Sequence, residues 1–231
     1  KVSLSLAVVA SLVVLLRHPN ALFLVAVPLY DVASVSDLTE RLRRLWQRRA
    51  KVAGVVLVSV ACVAPQVLLY RHATGSWLVN SYGKLGFTYR WSPKLADVLV
   101  GVSKGLFFWS PILLLAVAGM LRADAWSRRW RLAAVLILGA QTYMVASWYD
   151  WQFGGSFGHR GFTDGIALFA PFLASFFAWS CGRRWLEVLV SVTATLAVAL
   201  SVAQMWQYWA GIVPMSNTTW EQYKALFLRV R

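Results

Sequence analysis

LEVLVSVTATLAVALSVAQMW, residues 186–206, is a predominantly apolar run whose single charge, Glu187, sits at its start. It is long enough to cross a bilayer core, which takes about 20 residues as a helix. Runs of the same kind occupy 52–70, 105–121, 131–148 and 164–181. A further pair, about 2–16 and 19–31, is interrupted by Arg17, His18, Pro19 and Asn20. The composition agrees, with 59% hydrophobic and only 14% charged residues, a balance foreign to a soluble domain. The expected fold is therefore all-α, a polytopic transmembrane helical bundle of about six or seven spans with outward-facing loops.

The formal net charge of +14 would suggest nucleic acid in a soluble protein. Here the basic residues crowd short loops between spans, so they read as topology, and no nucleic-acid partner is expected. Arg41, Arg43, Arg44, Arg48, Arg49 and Lys51 fill one such loop, Arg122, Arg128, Arg129 and Arg131 the next, and Arg183 and Arg184 a third. All three fall on one side if the spans alternate, and the positive-inside rule makes that side cytoplasmic. The loops at 71–104, 149–163 and 207–231 then face outward.

Local signals punctuate this plan. Pro19 lacks an N–H and disfavours a helical residue before it, which predicts a break at Arg17-His18-Pro19. Leu38, Leu42, Leu45 and Trp46 recur at spacings of three and four among basic residues, the pattern of an amphipathic surface helix with Ser36 or Asp37 as its N-cap. Such a helix is read either as a solvated topology-setting loop or as a contact with acidic lipid. Ser92 and Pro93 predict the start of a short helix, and Thr219 the cap of another carrying Trp220, Tyr223, Leu226 and Phe227 on one face. Cys62 and Cys181 lie in spans near opposite bilayer ends, so no disulfide is expected. The chain starts at Lys1 and enters an apolar run at once, and it is read as the C-terminal portion, 1–231, of a longer protein.

Signatures of soluble enzymes are missing: there is no Walker loop, HExxH, CxxC or GxSxG. His18, His72 and His159 each sit at a span end and are weak candidates for a metal site. What remains is a set of polar groups on the outward face: Arg17, Arg71, Tyr82, Lys84, Arg90, Lys104, Asp150, Ser156, His159 and Arg160. Cations gathered where spans end suit an anionic headgroup, Arg offering a two-pronged phosphate contact and Lys a compact charge. Trp148, Tyr149 and Trp151 either offer stacking faces for a sugar ring or form part of the interfacial aromatic belt. Gly154, Gly155 and Gly158 allow a close approach of backbone, or simply a tight turn into the next span. Arg160 is the only Lys or Arg in its short outward loop, so topology does not require it. Asp150 is read either as its ion-pair partner or as a group that orients an acceptor hydroxyl.

Four segments in order carry a resemblance: LLRHPNALFLVAVPL at 15–29, PQVLLYRHATGSWLVNSYGKLGF at 65–87, SKGLFFWSPILLLAVAGM at 103–120 and WYDWQFGGSFGHRGFTDGIALFAPFLA at 148–174. Together they resemble the C-terminal portion of bacterial GT-C membrane glycosyltransferases of the protein-mannosyltransferase-like kind. The strongest pieces are Gly-Leu-Phe-Phe-Trp-Ser-Pro at 105–111 and Trp-x-x-Trp-x-x-Gly-Gly-Ser-x-Gly-x-Arg at 148–160. The chain departs from the family pattern at His159 and Gly161.

The resemblance implies an enzyme of the bacterial inner membrane that passes a sugar from a polyprenyl-phosphate carrier to an acceptor on the outer face. On this likeness Arg17 and Lys104 would hold the carrier phosphate. Trp148, Trp151, Ser156, His159 and Arg160 would bind sugar or acceptor, and Asp150 would be catalytic, with the main catalytic acid expected upstream of Lys1. Membrane lipid would be the other partner. The sequence assigns no cofactor and leaves a divalent metal open. A lipid-carrier transporter or flippase, and a non-catalytic partner in envelope assembly, are the competing readings.

Overall fold

The structure is a computed structural model that describes residues 4–77, 79, 85–227 and 229. The described residues form helices and no strand. They fall into two compact units, 1–84 and 85–231.

In the first unit α1 (Leu4–Leu16) ends at Arg17, whose extended backbone turns the chain into a 3-10 helix, His18–Val25, with Pro19 in its first turn. The helix breaks where Pro19 requires it. A short α2 (Ala26–Leu29) follows, then α3 (Val35–Gln47) and the long α4 (Arg49–Thr74). The cap of α3 is Ser34, not Ser36 or Asp37. The Ser34 hydroxyl accepts from the Asp37 N–H at 3.2 Å while Asp37 Oδ2 accepts from the Ser34 N–H at 2.9 Å, and this reciprocal box fixes the start two residues earlier than expected. Packing between α1 and α4 is close, and the buried positions of α1, Ala7 and Ser11, are small. No residue of α4 is buried, and it ends on Gly75 with φ +76°, a left-handed cap.

The second unit holds α5 (Leu95–Val100), α6 (Leu106–Trp109), α7 (Ile112–Leu121), α8 (Arg128–Ser147), α9 (Ala170–Ser180), α10 (Arg184–Trp209) and α11 (Trp220–Leu226). Short 3-10 helices at Arg160–Phe162 and Ile166–Phe169 lead into α9. Val98, Leu106, Leu113, Leu138, Phe162 and Phe169 meet in the main core. The tightest helix pair is α7 with α9, where a Cβ on Gly119 would collide with the Phe172 carbonyl. Only glycine lets these backbones approach so closely.

Two sequence readings need correction here. The run 105–121 is not one helix: Ser110 leaves helical geometry and Pro111 opens α7, because proline cannot continue the ladder of α6. The Trp109 carbonyl freed at this break accepts from Ser201 Oγ of α10 at 3.1 Å. Nor does Ser92 cap a helix. The chain turns at Pro93, and α5 starts at Leu95 behind Lys94 with no side-chain cap. Thr219 does cap α11, in a reciprocal box with Gln222.

Among the described residues two helices, α4 and α10, are long and apolar enough to cross a membrane; α1, α7, α9 and the His18–Leu29 segment are shorter and apolar. Leu57 of α4 and Leu196 of α10 are 70% and 64% exposed. Aliphatic surface on that scale is costly in water, at about 25 cal/mol per Å2, and costs nothing in hydrocarbon.

Candidate functional site

The expected site residues divide between the units. Arg17 lies in the first, at the break between α1 and the 3-10 helix. Tyr82 and Lys84 lie outside the described residues. Lys104, Trp148, Asp150, Trp151, Ser156, His159 and Arg160 all belong to the second unit, on the 101–105 turn and the 148–165 loop.

The first of these segments is a compressed turn. Gly105 N donates to Gly101 O at 2.6 Å, and a Cβ on Gly101 would strike the Asp97 carbonyl. The turn drives Lys104 inward, where it is 2% exposed. Its Nζ donates to the Ser156 carbonyl and stands 5.6 Å from the centroid of the Tyr208 ring. Burial first, and then the neighbouring charge of Arg160, push the ammonium down to about 8, with Asp150 opposing both. These influences place Lys104, Asp150 and Arg160 in one electrostatic neighbourhood.

The second segment begins where α8 ends. Its C-terminal carbonyls are taken by the 86–94 stretch: Tyr89 N donates to Ser147 O at 3.0 Å and Lys94 N to Ala146 O at 2.9 Å. The loop then reverses through Phe153, Gly154 and Gly158, all at positive φ. Gly155 faces Met215, whose Sδ would lie 3.3 Å from an added Cβ. Trp148 meets Phe87 edge-on at 5.2 Å, while Trp151 packs against the main core. Trp148 also meets Tyr149 at 5.5 Å, and both tryptophans are half-buried.

His159 is 6% exposed and sits between Phe153 and Phe162, with ring centroids 5.9 and 5.1 Å away. Burial, followed by the charge of Lys104, lowers its pKa to about 4, so the imidazole is neutral near pH 7. Neither ring nitrogen meets full hydrogen-bond geometry with a described residue, although the Trp151 backbone lies close enough to favour the protonated ring, and the buried Ser156 hydroxyl has no partner among the described residues. Buried polar atoms left unpaired are costly, and a cluster of them beside a buried cation is what a ligand would satisfy. A Cβ on Gly161 would come within 3.1 Å of His159 Nδ1, so glycine keeps this space open.

Among the described residues Asp150 and Arg160 form no ion pair. Asp150 is half-buried and acts on the charge of Lys104, and Arg160 is exposed at the start of its 3-10 helix. The described residues hold no group of three or more His, Cys, Asp or Glu able to bind a metal.

Sequence reasoning overlooked three residues that build this region. Gln152 joins separate loops: its Oε1 accepts from Ser103 Oγ at 3.2 Å and from Asn217 N at 3.2 Å, while its Nε2 donates to Asn217 Oδ1 at 2.7 Å. Tyr208 supplies the ring beneath Lys104, and Gln141 Nε2 donates to the Gly161 carbonyl at 2.9 Å. The available signal was a polar amide in an otherwise apolar context: Gln141 sits inside a span and Gln152 among aromatics. No family model matches this chain, and no curated protein or solved structure is significantly similar to it.

Proposed function

We propose that this chain is a GT-C-type membrane glycosyltransferase, crossing the bilayer about six or seven times and moving a sugar from a polyprenyl-phosphate carrier to an acceptor on the outer face. The observation that carries the reading is Lys104: a buried cation in the field of Arg160, beside Asp150, a buried neutral imidazole and an unpaired serine hydroxyl. Two cations that disfavour each other's charge are relieved by an anion between them.

The chemistry follows from that relief. The acceptor oxygen attacks the anomeric carbon, the bond from that carbon to the phosphate oxygen breaks, and its electron pair stays on the phosphate. Negative charge grows on the phosphate as the bond lengthens, so Lys104 and Arg160 stabilise the transition state more than the ground state. The acceptor hydroxyl gives its proton to a carboxylate, the role assigned to Asp150 within this chain. Ser156, His159 and Trp148 orient the sugar. The bacterial inner membrane, with the 148–165 loop outward, is the location this reading requires, and the arginine-rich loops support that orientation.

The test follows label from a radiolabelled polyprenyl-phosphate hexose with the protein in vesicles. Wild-type protein should remove sugar from the carrier. Arg160→Ala, shown to be inserted and folded, should slow that removal by about a hundredfold or more. An undiminished rate in the folded variant overturns the role of Arg160. Movement of intact labelled carrier between leaflets, without sugar loss, would replace the transferase by a transporter.

A further inference from the structure

A groove between α3 and α4, with a free volume of about 940 Å3, lies in the first unit and takes no part in the transfer chemistry. From α4 it is lined by a single stripe running from Arg49 to Val60 at spacings of three and four, one face of the helix. That stripe is about 17 Å long at 1.5 Å per residue, more than half the depth of a hydrocarbon core of about 30 Å. From α3 come Leu42, Arg43, Leu45 and Trp46.

Its charges gather at one end. Arg49, the first residue of α4, stands over the Trp46 ring of α3, 5.9 Å from the centroid, and Arg43 is one turn before Trp46 on α3. Two neighbouring arginines are engaged elsewhere: Arg44 pairs with Glu40 at 3.0 Å, and Arg41 Nη2 donates to the Tyr30 carbonyl at 2.7 Å. Among the described residues neither Arg43 nor Arg49 is paired with a carboxylate. Apart from these two guanidinium groups the groove is aliphatic and aromatic.

The geometry points to a binding site for one anionic glycerophospholipid, its phosphate on Arg43 and Arg49 and an acyl chain along the α4 stripe. The order of head and tail in a lipid matches the order of charge and hydrocarbon in the groove. A zwitterionic lipid would bring its own ammonium beside two guanidinium groups, so the charge balance selects an anionic head. A partner helix would have to supply carboxylates at the charged end and hydrocarbon beyond it, whereas a lipid of the surrounding bilayer carries both. The inference rests on α4 crossing a bilayer and is independent of sugar transfer.

The experiment offers the detergent-purified chain equal amounts of phosphatidylglycerol and phosphatidylcholine with matched acyl chains, and weighs the retained lipid by native mass spectrometry. Wild-type protein should retain phosphatidylglycerol in preference. The double variant R43Q/R49Q should reduce that preference by about thirtyfold, since each basic residue near a headgroup contributes about 1 kcal/mol. Ala53→Trp, which fills the groove and keeps both charges, should lose the preference as well. R183Q/R184Q, altering another basic loop, should keep it.

Equal retention of the two lipids by wild-type protein overturns the site. So does a preference that survives in the folded R43Q/R49Q variant, or one that R183Q/R184Q diminishes as much as R43Q/R49Q does, since that is surface charge without a groove. A protein that shows the preference but transfers no sugar upholds this site while defeating the transferase reading.

Discussion

α4 and α10 are both 26 residues long and both apolar enough to span a bilayer, yet they are used differently. No residue of α4 is buried, whereas α10 buries Leu186, Val190 and Ala194 along its length and Gln204 and Gln207 near its end. The two glutamines are tied to the segment around α11: Gln204 Nε2 donates to Tyr223 Oη at 2.9 Å, and Gln207 Nε2 donates to the carbonyls of Leu226 and Arg229 at 2.7 and 3.0 Å. Tyr208, the next residue, lies beneath Lys104. Hydropathy makes the two helices equivalent spans. The difference comes from polar side chains at one end, which turn α10 into a support for the candidate site and leave α4 as a surface for lipid.

The largest test of this difference exploits glycine. A Cβ on Gly119, at the packed contact of α7 with α9, would meet the Phe172 carbonyl, while one on Gly54 of α4 meets nothing within 4 Å. Gly119→Leu should therefore force two backbones apart at a cost of about 3 kcal/mol or more, seen as loss of a cooperative thermal transition in detergent. Gly54→Leu should stay within about 0.5 kcal/mol of wild type. Equal responses at the two positions would mean that the second unit is no better packed than the bare face of α4.

Much of this architecture was legible in the chain. The runs at 52–70, 131–148 and 186–206 appear as Arg49–Thr74, Arg128–Ser147 and Arg184–Trp209, because an apolar segment of that length has few ways to satisfy its backbone except as a helix. The break at Arg17 and the cap at Thr219 followed from single residues whose chemistry is local. Lys104, Ser156 and His159 were read only as polar groups on one outward face, and in the structure Lys104 Nζ donates to the Ser156 carbonyl and its charge acts on His159. The split at Ser110–Pro111 was hidden by an average over the run, which blurs one proline. Gln152 was invisible because its partners, Ser103 and Asn217, are 49 and 65 residues away, and no pattern of short period reports such a bond.

A middle-sized effect separates the glutamines of α10 from the rest of its surface. Gln207→Leu should strand the Leu226 and Arg229 carbonyls, costing about 1–3 kcal/mol locally and loosening α11. Hydrogen exchange across 219–227 should rise, with exchange in α8 unchanged. Val202→Leu, on the half-exposed face of the same helix, should leave α11 protected. If α11 keeps its protection in Gln207→Leu, the Gln204 bond to Tyr223 Oη and the aromatic contacts of Tyr223 with Phe108 and Trp109 hold it without Gln207, and the Gln207 bonds are not what distinguishes this end of α10 from α4.

The effect smallest near pH 7 is a slope with pH that Lys104, over the Tyr208 ring of α10, should produce. Lys104 has an ordinary pKa of 10.5 and is lowered to about 8 in the folded chain, so below about 8 both folded and unfolded states carry the proton and folding bears the full cost of a buried charge. Between about 8 and 10.5 the unfolded chain still holds that proton while the folded chain has released it, and stability should rise with pH by up to about 1.4 kcal/mol per unit, less wherever solvent reaches the amine. Lys104→Met should remove this contribution to the slope and should be neutral or slightly stabilising near pH 7, because replacing a buried charge by hydrocarbon of similar volume relieves desolvation. Thermal midpoints of both proteins across that window provide the measurement. Parallel curves would show Lys104 in contact with water, and the repulsion with Arg160 that favours an anion in the site would then be too well screened to select one.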